Sequence, residues 1–160
     1  MRLNKKTAII TGSASGFGEG IAKKFTDEGA NLIMVDINSK LLKQVSKKLS
    51  QDYFVADVSS AKDFNSLLKY ASRKFNSVDI FVNNAGITHD SLILRMKNDQ
   101  WSKIIQTNLN SNYQIIKSLL PNMLSKKYGK IIGISSIVGT TGNPGQSNYV
   151  ASKSGMVGLY

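Results

Sequence analysis

Short apolar segments alternate with longer amphipathic segments along the chain, and this alternation restricts the fold more than any other feature of the sequence. The apolar segments are rich in β-branched residues and are predicted to be strands: 7–10, 32–35, 53–56, 80–82 and 131–134. The segments between them carry apolar residues at helical spacing and are predicted to be helices: 17–28, 39–50, 61–75 and 100–124, the last with room for a break. A final helix starts near Asn148 and runs to Tyr160. This alternation requires right-handed crossovers and a parallel sheet with helices on both faces.

The chain is therefore predicted to be a single α/β domain over residues 1–160, a Rossmann-type doubly wound parallel sheet with about five strands. Its 160 residues are enough for one buried core. The last helix reaches Tyr160 without a capping residue, so we expect a sheet that is incomplete at the C-terminus and a chain cut inside an element. No stretch approaches the ~20 apolar residues of a membrane span, so a cytoplasmic protein without a membrane partner is expected.

Composition excludes some sites and leaves the meaning of the charge open. The chain has no Cys and a single His, His89, so neither a disulfide nor a metal site is predicted. Its net charge of +11 favours a polyanionic partner, although lysines that simply solvate helix surfaces would explain it equally well. No basic segment is interleaved with aromatic residues as in a base-stacking platform, so no nucleic-acid partner is expected.

A glycine-rich turn directly follows the first predicted strand, with Gly12, Gly16 and Gly18 inside residues 11–18. Glycines at such a turn let the backbone approach a pyrophosphate, which then meets the amino end of the next helix. Asp36 ends the second predicted strand, eighteen residues after Gly18, where a carboxylate can accept hydrogen bonds from the adenosine ribose. The carboxylate would repel a 2′-phosphate, so NAD(H) is predicted over NADP(H). The alternative is that Asp36 or Ser39 only caps the second helix.

Three residues near the C-terminal end carry the chemistry of carbonyl reduction. Ser136 precedes Tyr149 by thirteen residues, and Lys153 lies one helical turn beyond Tyr149 on the same face. A phenol is a poor acid or base at neutral pH, and a neighbouring ammonium stabilises its phenolate. The Ser136 hydroxyl can hold the substrate oxygen while Tyr149 gives or takes the proton.

The spacing of Tyr149 and Lys153 is not distinctive by itself. Tyr70 with Lys74 and Tyr113 with Lys117 have the same spacing, but neither pair has a serine thirteen residues before its tyrosine. Without the rest of the chain, an ordinary amphipathic helix with a surface lysine would explain the third pair as well.

Taken together, these residues resemble the short-chain dehydrogenase/reductase family over residues 6–160. The motifs that carry the resemblance are the glycine turn, Asp57 with Val58, the segment 83–86 (Asn-Asn-Ala-Gly), Asn108, and Ser136 with Tyr149 and Lys153. Taken singly, segment 83–86 is also a plain strand-end turn and Asn108 a mid-helix polar residue; the resemblance rests on all of them together.

The resemblance implies specific roles. Asn108, Ser136, Tyr149 and Lys153 would be catalytic, with Asn108 holding a water on the path to Lys153 and with Ser136 and Tyr149 contacting substrate. Asp57 and Val58 would contact adenine, and Lys153 the nicotinamide ribose. The residues expected to bind the cofactor are Gly12, Ser13, Ser15, Gly16, Phe17, Gly18, Asp36, Asp57, Val58, Asn84, Ala85, Gly86, Tyr149 and Lys153.

Within the family, residues 83–97 with Trp101 and residues 139–149 look most like the 3-oxoacyl-[acyl carrier protein] reductases of fatty acid synthesis. That likeness implies an acyl carrier protein thioester as substrate, a full-length tetramer, and a substrate lid and further strands beyond residue 160. Lys126, Lys127 and Lys130 are the predicted docking residues, unless they are only a solvated helix end.

The same likeness leaves the cofactor and the reaction open. These reductases usually use NADPH and have a basic residue in the glycine turn, where this chain has Ser15, so NADP(H) stays an alternative. Two other functions also stay open: an NAD-dependent dehydrogenase of another secondary alcohol, and a non-catalytic nucleotide-binding module.

Overall fold

Five parallel strands form one sheet in the computed structural model, which describes residues 1–75 and 77–160. The strands are β1 (Thr7–Thr11), β2 (Asn31–Asp36), β3 (Asp52–Val55), β4 (Ile80–Asn83) and β5 (Lys130–Gly133). Their order across the sheet is β3-β2-β1-β4-β5. The doubly wound α/β fold predicted from the sequence is confirmed, and each predicted strand differs from the observed one by at most one residue at either end.

The helices lie between the strands as predicted, with two additions. They are α1 (Gly16–Asp27), α2 (Ser39–Leu49), α3 (Ala61–Lys74), α4 (Asn98–Ile105), α5 (Ser111–Ser125), α6 (Val138–Thr141) and α7 (Ser147–Leu159). A π-helical turn, Gln106–Asn110, joins α4 to α5 where the sequence left room for a break. The short α6 has no counterpart in the prediction. Across residues 1–75 and 77–160, no helix combines the length and apolar character needed to cross a membrane.

Alternate residues of the strands supply two separate apolar layers, one on each face of the sheet. Ile9 of β1 belongs to the layer under α3 and α5, which includes Phe64 and Ile115. Its neighbours Ala8 and Ile10 belong to the opposite layer, under α1 and α2. This is the period-two alternation expected of strands that are covered on both faces. Each fully buried isoleucine or phenylalanine side chain stabilises the fold by about 1.5–3 kcal/mol relative to an exposed one.

The amino end of α2 settles one alternative left open by the sequence. Asn38, and neither Asp36 nor Ser39, is the capping residue, because its side-chain oxygen accepts a hydrogen bond from Leu41 N at 3.1 Å. Asn is among the residues preferred at this position. Asp36 is therefore available for another role.

The strand order reverses direction between β1 and β4, and this reversal determines where a ligand can bind. The chain runs outward from β1 through β2 to β3, then returns to the other side of β1 to form β4. The connections that follow β1 and β4 leave the sheet in opposite directions, so a crevice opens between their carboxyl ends. The glycine turn follows β1 and the segment 84–87 follows β4, so both line this crevice.

Candidate active site

The turn after β1 needs its glycines because it is packed tightly against the segment that follows β4. Gly12 has a positive φ of 64°, and a Cβ there would lie 2.9 Å from the Cα of Ala85. A Cβ on Gly18 would lie 2.0 Å from the Gly12 carbonyl oxygen. Gly16 also has a positive φ, 57°, with open space above it. The turn can therefore accept a group that approaches its backbone closely.

Thr11 and Asn84 join the two sides of the crevice. The Thr11 hydroxyl accepts hydrogen bonds from the backbone N–H groups of Asn84 and Ala85, both at 3.1 Å. The Asn84 side-chain amide donates to the carbonyls of Thr11 and Gly12, at 3.1 and 3.0 Å. Asn84 thus fixes the shape of the glycine turn. The sequence did not single out Thr11, because a threonine at a strand end has no distinctive pattern.

Asp36 faces the glycine turn. One carboxylate oxygen accepts a hydrogen bond from Ala14 N at 3.0 Å, and the other accepts from Asn38 N at 2.9 Å. Each oxygen has a second lone pair, so a carboxylate held in this way can still accept from ribose hydroxyls. Ser13, by contrast, is fully buried, and its hydroxyl donates to the Val35 carbonyl. The Ser13 backbone N–H donates to the same carbonyl at 3.1 Å, so both donors of Ser13 are turned toward β2 and away from the cleft.

A cleft of about 530 Å³ runs along this side of the molecule, from Asp36 to the segment after β4. Eight of the residues predicted to bind the cofactor line it: Gly12, Ser15, Asp36, Asp57, Val58, Asn84, Ala85 and Gly86. Seven further residues line it without having been predicted: Ile37, Ala56, Ser59, Ile87, Lys103, Gln106 and Thr107. Four of the seven are next to predicted residues in the chain: Ile37, Ala56, Ser59 and Ile87. The other three belong to α4 and the π turn, and only the folding of the chain brings them to the cleft.

The amino-terminal half of α7 carries Tyr149 and a buried Lys153. Lys153 is 4% exposed, and its Nζ lies 5.7 Å from the centroid of the Tyr149 ring. The same ammonium donates to the Ile134 carbonyl at 2.7 Å. Burial lowers the pKa of Lys153 below its ordinary value, because the charged form loses solvation. The ammonium is thus held beside the phenol ring in a poorly solvated place.

The two other Tyr–Lys pairs have almost the same internal geometry. The ammonium lies 5.7 Å from the ring in the pair of Tyr113 and Lys117, and 6.0 Å in the pair of Tyr70 and Lys74. Tyr113 is 47% exposed on the outer surface of α5. The distance within the pair therefore does not distinguish α7, whereas the burial of Lys153 does.

Ser136 lies between β5 and α6, next to residues that bind Lys153. The Ser135 hydroxyl donates to the Lys153 carbonyl at 3.2 Å, and the Ile134 carbonyl accepts from the Lys153 ammonium. These two bonds tie the end of β5 to α7. Among the described residues the Ser136 hydroxyl makes no hydrogen bond, so it is available to a substrate oxygen.

Asn108, in the π turn, connects the two halves of the site. Its side-chain oxygen accepts from Ile87 N at 2.9 Å, and its amide donates to the Ile87 carbonyl at 2.9 Å and to the Ser152 hydroxyl at 3.1 Å. A Cβ on the adjacent Gly86 would lie 3.4 Å from the Asn108 side-chain oxygen and 3.7 Å from Lys153 Nζ. Gly86 is therefore the point at which the cleft meets the Tyr149–Lys153 pair.

The profile of the short chain dehydrogenase family matches residues 6–160. The chain belongs to this family. Among its relatives, the 3-oxoacyl-[acyl-carrier-protein] reductase FabG of Haemophilus influenzae is 43% identical over 156 residues, which cover 96% of this chain and 64% of the relative. The proteins of the same name from Thermotoga maritima and Chlamydia trachomatis are 37% and 40% identical, covering 99% and 98% of this chain and 67% and 66% of the relatives. The chain thus spans about two thirds of the length of these curated relatives.

Short chain dehydrogenases use a nicotinamide dinucleotide, and glycines leave space for such a group at two points near the cleft. Open space lies above Gly16, where phosphates would meet the turn, and Gly86 has no side chain where the cleft approaches Lys153. A side chain on Gly86 would fill the space next to that ammonium. The Asp36 carboxylate in the cleft and the Lys153 ammonium beside Gly86 are an acceptor and a donor suited to the hydroxyls of such a cofactor.

The three lysines predicted to dock a carrier protein, here named the basic cluster (Lys126, Lys127 and Lys130), lie at the other end of the sheet. Lys130 is the first residue of β5, whereas Ser136 follows the last. Ser136 is six positions after Lys130, a separation of at most about 20 Å at ~3.3 Å per residue. A fourth lysine lies next to the cluster, because Lys6 Nζ is 3.8 Å from the centroid of the Tyr128 ring.

Proposed function

We propose that this short chain dehydrogenase reduces the 3-oxo group of a 3-oxoacyl-[acyl carrier protein] thioester to a 3-hydroxyl group, as a step of fatty acid biosynthesis. One observation carries the proposal: the buried ammonium of Lys153 lies beside the Tyr149 ring and next to Gly86, which lines the cleft. The relatives at 37–43% identity, which bear the name of this reductase, support the substrate class.

The proposed chemistry divides between cofactor and protein. A bound nicotinamide supplies the hydride. The Ser136 hydroxyl donates a hydrogen bond to the substrate carbonyl oxygen, and Tyr149 gives that oxygen the proton that completes the alcohol. The Lys153 ammonium stabilises the phenolate left behind and binds the ribose hydroxyls next to the nicotinamide. Asn108 holds the segment after β4 against α7. The distance between the cofactor cleft and the proton donor Tyr149 is thereby fixed.

NAD(H) is the proposed cofactor. The Asp36 carboxylate keeps a free lone pair on each oxygen while it is fixed by Ala14 and Asn38, so it favours the ribose hydroxyls of NADH over the 2′-phosphate of NADPH. The family's common use of NADP(H) in this reaction leaves NADPH as the alternative.

A second function is favoured by the same residue. Because Asp36 suits NAD(H), an NAD-dependent dehydrogenase acting on another secondary alcohol is the alternative proposal. The non-catalytic nucleotide-binding module is the third alternative. It fits less well, since the chain keeps the four residues proposed for catalysis: Asn108, Ser136, Tyr149 and Lys153.

The proposed partners are an acyl carrier protein and further copies of the chain. The basic cluster would attract the acidic surface of a carrier. Its distance from Ser136 means that a carrier docked there would have to present its thioester across the depth of the sheet. A single nucleotide-binding domain over residues 1–160, assembled as a tetramer in the full-length protein, completes the proposal.

The oxidation of NADH and of NADPH tests these alternatives in one series. Acetoacetyl thioesters on acyl carrier protein and on a small thiol are offered as substrates, and a simple cyclic ketone is offered as the competing carbonyl. The proposed function predicts turnover of the carrier thioester, with NADH preferred. Turnover of the ketone alone would favour the second function, and binding of NADH without any turnover would favour the third.

A further inference from the structure

Two fully buried polar residues next to the site have no role in the chemistry described so far. Ser152 and Asn112 are both 0% exposed, one on α7 and the other on α5. Burying a polar group costs free energy unless hydrogen bonds compensate. Their partners therefore indicate what they do.

Ser152 links the π turn to α7. Its hydroxyl accepts a hydrogen bond from the Asn108 side-chain amide at 3.1 Å and donates one to the Tyr149 carbonyl at 2.7 Å. Ser152, which makes both bonds, directly precedes Lys153 in the chain. Through them, Asn108 is connected to the backbone of the residue that carries the phenol.

Asn112 holds Asn108 from the other side. Its side-chain amide donates to the Asn108 carbonyl at 2.5 Å, whereas its own side-chain oxygen has no partner among the described residues. The amide cannot be reversed, because its oxygen would then face another oxygen. A buried acceptor without a partner costs about 1–3 kcal/mol, so an apolar residue of the same size would suit this position better for stability alone.

We propose that Ser152 and Asn112 are positioning residues that hold Asn108 in one place, and through it fix the distance between Gly86 and the Tyr149–Lys153 pair. The inference rests on the proposed function for its catalytic consequence. The geometry behind it is independent of that function: Asn112 bonds the Asn108 backbone, Asn108 bonds both backbone groups of Ile87, and Ser152 bonds Asn108 to α7.

The test compares Ser152→Ala and Asn112→Leu with Ser111→Ala. Ser111 is a matched control, since it is 3% exposed in the same region and donates to the Thr107 carbonyl, but its hydroxyl does not bond Asn108. The two test variants should lower kcat by about 10- to 100-fold, because small displacements of reacting groups have effects of that size. They should also shift the pH profile of kcat, whereas the control should change neither. Ser152→Thr, which keeps the hydroxyl, should restore most of the activity of Ser152→Ala.

Stability gives the opposite expectation for one variant. Asn112→Leu removes an unsatisfied oxygen, so its urea midpoint should equal or exceed that of the parent while its kcat falls. A purely structural asparagine would lower the midpoint and leave kcat and its pH profile unchanged, and that result would overturn the proposal.

Exchange of the Asn108 side-chain amide protons, followed by NMR, separates this inference from the proposed function. Their exchange should be slow in the parent and in Ser111→Ala, and faster in Ser152→Ala. If the parent reduces no thioester, the proposed function fails while this exchange pattern still supports the positioning role. Equal exchange rates in Ser152→Ala and Ser111→Ala would refute the positioning role whatever the activity.

Discussion

Replacing Asp36 with alanine should affect both the stability of the glycine turn and the choice of cofactor. The Asp36 carboxylate accepts hydrogen bonds from the backbone N–H groups of Ala14 and Asn38. Ala14 is 4% exposed, so its N–H would lose its partner in a place where water has little access. Such a loss costs about 1–3 kcal/mol, whereas Asn38 is exposed and water can replace its partner. We expect Asp36→Ala to lower the free energy of unfolding by about 2 kcal/mol.

The assay is urea unfolding of the parent, Asp36→Ala and two comparison variants. Asp36→Ser keeps a hydroxyl acceptor and should recover part of the stability. Asp27→Ala removes the same charge from the exposed end of α1 and should change stability by less than ~0.5 kcal/mol. An Asp36→Ala variant as stable as Asp27→Ala would refute the proposed coupling between the carboxylate and the turn.

Titration of the same variants with NADH and NADPH, followed by cofactor fluorescence, measures the second effect. The parent should bind NADH more tightly, and the ratio of the two dissociation constants should fall at least tenfold in Asp36→Ala, which corresponds to ~1.4 kcal/mol. In Asp27→Ala the ratio should be that of the parent. A ratio that Asp36→Ala leaves unchanged would show that this carboxylate does not select the cofactor.

Three further predictions concern the turn, the buried ammonium and the basic cluster. Gly18→Ala should lower the free energy of unfolding by at least about 3 kcal/mol, because its Cβ would lie 2.0 Å from a backbone oxygen. Gly20→Ala, in the open part of α1, should be neutral or stabilising. Urea unfolding measures both variants. Burial lowers the pKa of Lys153, so the folded state binds fewer protons than the unfolded state only between the lowered value and 10.5. Lys153→Met removes the cost of burying the charge, so it should be more stable than the parent at low pH and lose that advantage as the pH rises through this window to 10.5. A gain that does not shrink with pH in urea midpoints would contradict this reasoning. Reversing the three charges of the basic cluster should raise KM for a carrier-protein thioester and leave KM for a small-thiol thioester unchanged in steady-state assays, and equal effects on both would remove the docking role.

The elements of the sheet were predictable because their signals are local. A buried strand is a short run of apolar residues, and a surface helix repeats its apolar residues every three or four positions. A break between α4 and α5 was allowed for, but its π-helical form was not predicted, because one inserted residue hardly disturbs that repeat. The short α6 escaped because four residues are too few to establish any period.

The candidate site was predictable in its residue types but not in its environment. Gly12 and Gly18 carry a signal because a turn that approaches another backbone excludes side chains. Tyr149 and Tyr113 both have a lysine one turn away at the same distance, and in the sequence only the serine thirteen residues before Tyr149 distinguishes the two. Lys153 is buried by the packing of α7 against α4, α6, the π turn and the residue after β5, and all but α6 come from distant parts of the sequence. The same applies to Gln106, which reaches the cleft by the crossing of the π turn over the segment after β3.

The most direct test of the central claim is the rate of NADH-dependent reduction of an acetoacetyl thioester by the parent, Tyr149→Phe and Tyr113→Phe. The two tyrosines have the same spacing to a lysine and the same 5.7 Å separation of ring and ammonium. Any difference between the two variants therefore comes from the surroundings of Tyr149 and not from the Tyr–Lys pair itself. The proposed site predicts a loss of at least about 100-fold in Tyr149→Phe, since general acid catalysis contributes a factor of this size, and parental activity in Tyr113→Phe. Equal rates in the parent and Tyr149→Phe would contradict it.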